Sequence, residues 1–173
     1  MKIRSKVMDM TETGENKDAV LSAHAGNPAV AALLQHLPDA IQNAKYDRDE
    51  LTLTIAREKI VTACETVKSA GFNFLADITC VDWYPNQPRF QISYHLLSHS
   101  LKQRLRFAVF VEEGDPSVDS ITRVWPAANF YEREIFDLFG VRFGGHPNLR
   151  RLLMPDDYQG NPLRKDFPVE GYR

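Results

Sequence analysis

The sequence has few cysteines, and this limits the redox chemistry that the chain can carry. Its 173 residues include two cysteines, Cys64 and Cys80, which lie far apart in apolar surroundings without a CxxC partner. A disulfide framework is therefore not predicted, and two isolated thiols cannot supply the four ligands that an iron–sulfur cluster usually needs. We interpret both as small buried side chains in a reducing compartment.

Long apolar runs and a basic surplus are also lacking. No stretch approaches the ~20 consecutive apolar residues of a membrane helix, and residues 1–27 lack the apolar centre of a signal peptide. The net charge is −2, whereas chains that bind nucleic acid usually carry a basic surplus. We therefore predict a soluble chain with no nucleic-acid partner, which associates with a membrane only indirectly.

Catalytic motifs are missing as well. The sequence contains no GxSxG, GxxxxGK[ST], GxGxxG or HExxH pattern. His95 and His99 have the spacing of helical metal ligands, but a strand would separate them by ~13 Å. Asp77 and Asp82 would share an acid–base site only if the chain bends between them. We predict no catalytic, cofactor-binding or metal residue in this chain, which is non-catalytic alone.

The hydrophobic pattern predicts an α+β fold. With 43% hydrophobic residues the chain can form one ordinary core. Helices on one face of a mostly antiparallel sheet, followed by a long extended C-terminal arm, fit the order of the predicted elements. These elements are helices over 27–37 and 58–70 and strands over 51–55, 74–81, 90–96 and 105–111. We predict a flexible N-terminal leader over 1–27, an α+β domain over 28–140 and a partner-binding arm over 141–173.

A last helix is predicted to begin at Pro126 or Asn129 and to end at Gly140. Asn129 and Glu132 have the spacing of a capping box. Tyr131 belongs to an apolar stripe that phenylalanines on either side of it broaden. The pattern favours a helix that is apolar over much of its circumference.

The charges of this helix point in several directions. Consecutive residues turn by about 100°, so Glu132, Arg133 and Glu134 cannot share one face. Such a helix is typical of one buried between two bodies, although a solvated charged face is the competing interpretation. Arg133 could pair with Asp137 or with a carboxylate outside the helix.

The arm beyond Gly140 carries many prolines together with many apolar residues. So long a stretch without periodicity is unusual in a self-contained domain, so the arm lies either on another protein or around its own domain. Within residues 162–166 (PLRKD), Leu163 and Phe167 flank the charges. We predict a strand-like peptide in which Arg164 forms ion pairs.

These last segments together resemble a known family. Residues 132–168 read EREIFDLFGVRFGGHPNLRRLLMPDDYQGNPLRKDFP, and looser similarity extends back through 74–84, FLADITCVDWY. The combination resembles the signature of the C subunit of bacterial NADH:quinone oxidoreductase, the 30-kDa subunit family of respiratory complex I. We predict that the matching residues form a partner interface; they are Glu132, Arg133, Glu134, Asp137, Gly140, His146, Pro147, Arg150, Arg151, Pro155, Pro162, Leu163, Arg164, Lys165 and Asp166.

The resemblance implies a structural and assembly role. It places the chain in the peripheral arm of a proton-translocating NADH dehydrogenase, on the cytoplasmic side of the bacterial inner membrane. The implied partners are the quinone-site subunit and the iron–sulfur subunits. The family has no cofactor of its own, while FMN and iron–sulfur clusters in partner subunits pass electrons from NADH to quinone.

Two other functions remain open. A homologous subunit occurs in membrane-bound nickel–iron hydrogenases and formate hydrogenlyases, and neighbouring genes for flavin- and NADH-binding subunits would separate these complexes from the NADH:quinone type. A stand-alone small enzyme is the third possibility, and it requires turnover by the purified chain without any partner.

Overall fold

The fold contains four helices and seven strands within residues 13–171, the part of the chain that the structure, a computed structural model, describes. Side chains are described from residue 17 onward. In chain order the elements are α1 (Thr13–Ala23), α2 (Pro28–His36), β1 (Ile41–Asp47), β2 (Glu50–Ile55), α3 (Ile60–Ser69), β3 (Phe74–Asp82), β4 (Phe90–Ser98), β5 (Gln103–Val111), β6 (Ser117–Asp119), α4 (Ala128–Phe139) and β7 (Arg142–Gly144).

Five strands form the main sheet in the order β1–β2–β5–β4–β3. Neighbouring strands are antiparallel except β2 and β5, which are parallel. The antiparallel pair β4–β5 that the alternating pattern predicts is confirmed, with Ile92 opposite Val109. The α+β class with a mostly antiparallel sheet is therefore confirmed.

The core lies against one face of this sheet. Successive strand residues point to opposite faces, so Ile92, Tyr94 and Leu96 of β4 are buried whereas His95 and Leu97 are partly exposed. The buried faces of α2 and α3 belong to the same core. This packing explains why the apolar residues of these helices recur at helical spacing.

Two helix ends follow their local sequence. Asn27 precedes α2, and its side chain accepts a hydrogen bond from the N–H of Ala29 at 2.9 Å, while Pro28 stands in the first turn. Gly71 follows the C-cap residue Ala70 of α3 with φ +103°, a conformation that glycine adopts without strain. Both predicted ends are confirmed.

The flexible leader predicted for residues 1–27 is wrong where the structure describes it. Thr13–Ala23 form α1, which packs on β1. The Lys17 ammonium donates to the carbonyl oxygen of Ile41 at 2.5 Å. This tertiary contact holds a segment whose polar composition predicts no helix; residues 1–12 lie outside the described residues.

Three strands escape the sequence-based prediction. In β1 the polar residues Gln42, Asn43 and Lys45 obscure the alternation. The strands β6 and β7 have three residues each and form a separate parallel pair. Strands this short carry no periodicity, so only tertiary packing defines them.

The C-terminal arm is not the extended chain that we predict for residues 141–173. Its residues 142–144 form β7, so the domain continues past Gly140. Beyond β7 the described chain makes successive turns, in one of which the N–H of Phe167 donates to the carbonyl of Arg164 at 3.0 Å. The segment 162–166 is thus turned rather than strand-like. None of the helices within residues 13–171 is both long and apolar enough to cross a bilayer.

Candidate functional site

The candidate site is the contact between α4 and the arm, where most of the predicted interface residues meet. The helix begins at Ala128, and Asn129 stands inside it, so the predicted capping box does not form. The Glu132 carboxylate instead accepts from the hydroxyl of Ser120 at 2.6 Å and from the N–H of Ile121 at 2.8 Å. Glu132 therefore holds the loop after β6.

Asp137 is the central anchor of the arm. Its side chain is fully buried, and one oxygen accepts the N–H groups of Leu152, Leu153 and Met154 at 2.9, 2.7 and 2.8 Å. The other oxygen accepts from Arg151 at 2.6 Å. Burial by itself raises the pKa of Asp137, but these hydrogen bonds outweigh it and hold the pKa below its usual value.

Two arginines complete this contact by binding backbone carbonyl groups. Arg133 donates to the carbonyls of Arg150 and Arg151 at 3.1 and 2.9 Å, so it does not pair with Asp137 as we considered. Arg151 donates to the carbonyls of Tyr158 and Gly160 at 2.9 and 3.1 Å. The guanidinium groups thus supply donors to a chain segment that has no regular partner strand.

The C-terminal end of α4 is covered by the arm. The carbonyl of Phe139 accepts from Arg164 at 2.6 Å, and the carbonyl of Asp137 accepts from Asn161 at 3.0 Å. The N–H of Leu163 donates to the carbonyl of Leu138 at 3.1 Å. These are carbonyl groups that a helix end leaves without helical partners. The arm therefore caps α4.

Gly140 permits this close approach. Its φ is +74°, and a Cβ there would stand 2.6 Å from Asn161 Oδ1 and 2.7 Å from Arg164 Nη2. The family-signature glycine is thus required twice, for its backbone conformation and for space.

We expect Gly140→Ala to destabilise the chain more than Gly145→Ala. Both glycines have φ +74°, but nothing lies within 4 Å of a Cβ at Gly145. The control therefore measures the left-handed backbone cost alone, about 1–2 kcal/mol, while Gly140→Ala adds the displacement of Asn161 and Arg164. Urea unfolding of both variants measures the difference, and equal losses would show that the arm does not need this space.

A second anchor ties the end of the arm to the β3–β4 hairpin. Arg89 is fully buried and makes two hydrogen bonds to Asp82, at 3.0 and 2.8 Å. It makes two more to Asp166, at 3.1 and 2.5 Å, and contacts Glu113. Asp82 also accepts the N–H of Lys165 at 2.9 Å. The guanidinium of Arg89 thus connects the end of β3 and the segment after β5 to the arm.

The charges of this anchor shift the pKa of Asp82. Burial by itself raises it, but the hydrogen bonds from Arg89 and from the backbone lower the pKa of Asp82 to about 2. Sequence reasoning missed Arg89 and Glu113, because their partners are remote in sequence and neither belongs to a local motif. Asp82 has this structural role rather than the acid–base role that we considered with Asp77.

A buried acid–histidine pair lies at the beginning of the arm. Glu132 Oε2 is 3.9 Å from His146 Nε2, and neither side chain is exposed. Burial raises the pKa of Glu132 to about 7. Burial, together with the positive charge of Arg133, lowers the pKa of His146. Sequence reasoning selected both residues for the family signature but did not bring them together.

The remaining predicted interface residues lie mostly at the surface. Glu134, Pro147, Arg150, Pro155 and Lys165 are exposed, and Pro162 is half-buried. Leu163 is 53% exposed, and two further apolar side chains, Phe130 and Leu153, are 58% and 56% exposed. Some charged signature residues, such as Asp137 and Arg151, therefore serve contacts within the chain, whereas Glu134, Arg150 and Lys165 face outward together with an apolar set.

The other residues that we considered for chemistry have structural neighbours. His95 lies 3.6 Å from Glu50, and His99 packs against the ring of Phe74. Burial raises the pKa of Cys80 to about 12, which disfavours its reactive thiolate. Within the described residues, no group of three His, Cys, Asp or Glu side chains could hold a metal ion.

Fold and contacts define a small α+β chain whose C-terminal arm is held against its own last helix. The chain belongs to the family described as "Respiratory-chain NADH dehydrogenase, 30 Kd subunit", whose sequence model matches residues 53–173. This confirms the resemblance seen in residues 132–168.

Individual relatives agree with the family assignment. The C subunit of the NADH-quinone oxidoreductase of Geobacter sulfurreducens is 45% identical over 147 residues, which cover 84% of this chain and 91% of that protein. The protein of the same name from Roseiflexus castenholzii is 44% identical, with coverage of 83% and 84%.

Two solved structures are similar in fold. A trypsin-resistant fragment (1-134) of Nqo5 has a TM-score of 0.63 and 32% identity, and the match covers 70% of this chain and 99% of the fragment. A chain of the membrane-bound sulfane sulfur reductase, an archaeal respiratory membrane complex, has a TM-score of 0.71 and 27% identity, with coverage of 83% and 86%.

Proposed function

We propose that this chain is the C-type structural subunit of an NADH:quinone oxidoreductase. It lies in the peripheral arm on the cytoplasmic side of the bacterial inner membrane and contacts the quinone-site subunit and the iron–sulfur subunits. The chain holds these partners in register and carries no redox group itself, while FMN and iron–sulfur clusters belong to the partners. Family membership and the names of the relatives support this assignment.

The observation that carries the proposal is the outward-facing apolar set on α4 and the arm. Phe130 and Asp137 lie two helical turns apart, on the same side of α4. The N–H of Leu153 bonds to Asp137, and that of Leu163 bonds to the last turn of α4. Leu153 and Leu163 therefore belong to the part of the arm that lies on α4, the helix that carries Phe130.

This surface suits a protein partner. Exposed apolar side chains that cluster mark interaction sites, and burying each leucine contributes about 1 kcal/mol or more to association. Because Asp137 and Arg151 already order the arm, docking costs less conformational entropy than binding by a disordered segment. The revised interface thus consists of these apolar residues and the exposed charges Glu134, Arg150 and Lys165, with the buried charges as its support.

We expect the tagged chain to co-purify from native membranes with flavin-, NADH- and iron–sulfur-binding subunits. The double variant Leu153→Gln, Leu163→Gln should recover several-fold less complex, because about 2 kcal/mol of apolar burial is lost. The melting temperature of the free variant should stay unchanged, since both side chains are exposed.

Leu34→Gln on α2 is the matched control, because Leu34 is also exposed, at 40%, and belongs to a helix that packs on α3. It should leave the recovery of complex unchanged. Full recovery with the double variant would remove the two leucines from the interface, and a chain recovered alone would contradict the subunit role.

A second candidate is a homologous subunit in another respiratory membrane complex, such as a membrane-bound nickel–iron hydrogenase or formate hydrogenlyase. The similarity to a chain of the sulfane sulfur reductase favours it, since that complex has a different name and chemistry but a chain of this fold. Co-purified partners without flavin- and NADH-binding subunits would select this candidate.

A further inference from the structure

The pair Glu132–His146 lies at the root of the arm, where the loop after β6, the helix α4 and the turn after β7 meet. Both side chains are fully buried, and Glu132 Oε2 is 3.9 Å from His146 Nε2. Neither the helix cap made by the arm nor the Arg89 anchor uses this pair. A buried carboxyl beside a buried imidazole offers a proton two places to bind.

The hydrogen bonds of His146 define its protonation state. Its Nδ1 accepts the N–H of Asn148 at 3.0 Å, and its Nε2 lies 3.3 Å from the carbonyl oxygen of Asn129. A ring nitrogen that accepts a hydrogen bond carries no proton, so His146 is neutral with its hydrogen on Nε2. Protonation of Nδ1 would set two donors against each other and break the bond to Asn148.

The hydrogen-bond partners of Glu132 fit the protonated carboxyl as well as the carboxylate. Its Oε2 lies 2.6 Å from Ser120 Oγ, which donates to the carboxylate and in turn lies 2.8 Å from Thr122 Oγ1. When a proton sits on Oε2, the carboxyl donates to Ser120 instead and Ser120 donates to Thr122, while Oε1 still accepts the N–H of Ile121. With neutral His146 beside it, the pair then carries no charge.

While His146 is neutral, none of the described side chains provides a cation bound to Glu132. The guanidinium of Arg133 bonds to the carbonyls of Arg150 and Arg151 instead. An ionised carboxylate in this position would be buried without a cation bound to it, which is costly. The titratable and charged groups that interact electrostatically with the pair are Cys64 of α3, Tyr94 of β4 and Arg133 of α4, and Asp119 of β6 acts on Tyr94.

We propose that Glu132 and His146 form a proton-dependent latch, which closes the turn at residues 146–148 when both side chains are neutral and opens it when Glu132 loses its proton. Opening admits water to the ionised carboxylate and breaks the contacts of His146 with Asn129 and Asn148. Gain of a proton by His146 at acid pH opens the same turn by breaking the Asn148 bond.

The raised pKa of Glu132 gives the direction of the pH dependence. The folded chain holds this proton up to about pH 7, whereas the unfolded chain releases it near 4.5. Stability therefore falls as the pH rises from 4.5 to 7 and stays at the lower level above that range. Opening of the latch therefore increases as the pH rises from 4.5 to about 7 and levels off above that range.

Hydrogen exchange of the full chain tests the latch. After correction for the intrinsic pH dependence of exchange, opening at residues 146–148 should rise about tenfold from pH 6 to pH 8, the ratio expected for an acid that titrates near 7. In Glu132→Gln, which is neutral at every pH and can still donate to Ser120, opening should not depend on pH. Glu134→Gln, which removes an exposed carboxylate on the same helix, should behave like the unmodified chain.

A second measurement on the unmodified chain guards against misfolding of the Glu132 variant. Nitrogen NMR of the His146 ring should show the neutral Nε2–H form at pH 6.5 and a change of shift near pH 7. Opening that is independent of pH, or an unchanged pH step in Glu132→Gln, would overturn the proposal. So would an Nδ1-protonated ring at pH 6.5.

The exchange experiment uses the chain without partners, so its result does not depend on the proposed function. A negative exchange result would therefore contradict the latch and leave the subunit role standing. A negative co-purification result would contradict the subunit role and leave the latch standing.

Discussion

Asp137→Asn is expected to release the arm from α4 and to lower the stability of the arm contact by about 3–5 kcal/mol, the range for breaking a buried ion pair. Asparagine has one acceptor oxygen where Asp137 has two, and these two serve Arg151 and the N–H groups of residues 152–154. The amide NH₂ would therefore face donors. Trypsin cleavage after Arg150 and Arg151 in the folded chain should accelerate strongly.

Asp156→Asn is the matched control for this variant. It makes the same chemical change at an exposed position of the arm, so cleavage and urea unfolding should stay close to those of the unmodified chain. Equal behaviour of the two variants would show that charge in the arm, rather than the anchor at Asp137, controls its docking.

Arg89→Met is expected to have an effect of similar size at the other end of the arm. Methionine fills the space of the arginine stem but leaves Asp82 buried without its cation and Asp166 without its partner. Removal of one partner of a buried pair costs about 3–5 kcal/mol. Urea unfolding at pH 7 measures the loss, and Arg104→Met on the exposed side of β5 is the control.

The effect of Arg89→Met should depend on pH. Asp82 has a folded pKa of about 2, below its usual 3.8, so its ionised form stabilises the fold above pH 4 and this contribution is lost as the pH falls toward 2. The difference between the unmodified chain and Arg89→Met should shrink by about 2 kcal/mol over that range. A difference that is constant with pH would mean that packing, and not the ion pair, explains the loss.

Local sequence patterns predicted much of the sheet and three of the four described helices. Alternation along β4 and β5 works because each strand has one buried face, and Asn27–Pro28 marks the start of α2 because capping involves neighbouring residues. The same reasoning failed for α1 and β1, whose polar sequences are held by contact with each other. It also failed for β6 and β7, which are too short for a period.

The candidate site was predicted as a set of residues but not as a set of contacts. Arg133 was considered for a pair with Asp137, one helical turn away, or with a carboxylate outside the helix. In the structure Asp137 binds Arg151, and Arg133 binds two backbone carbonyl groups. Arg89 was absent from the prediction, because its partner Asp166 lies 77 residues away in the sequence. Long-range pairs of this kind leave no local pattern.

The sequence alone determined the family, the fold class and the importance of residues 132–168, because a dense row of motifs and a regular apolar alternation are both local properties. Its two isolated cysteines and missing nucleotide motifs likewise predict that the chain has no redox site of its own. Only the tertiary structure decided what the signature residues do. Arg133, Asp137 and Arg151 bind the arm to α4, since a turn-rich arm needs donors and acceptors for its own backbone. Glu134, Arg150 and Lys165 stay exposed, as do the apolar side chains of Phe130, Leu153 and Leu163.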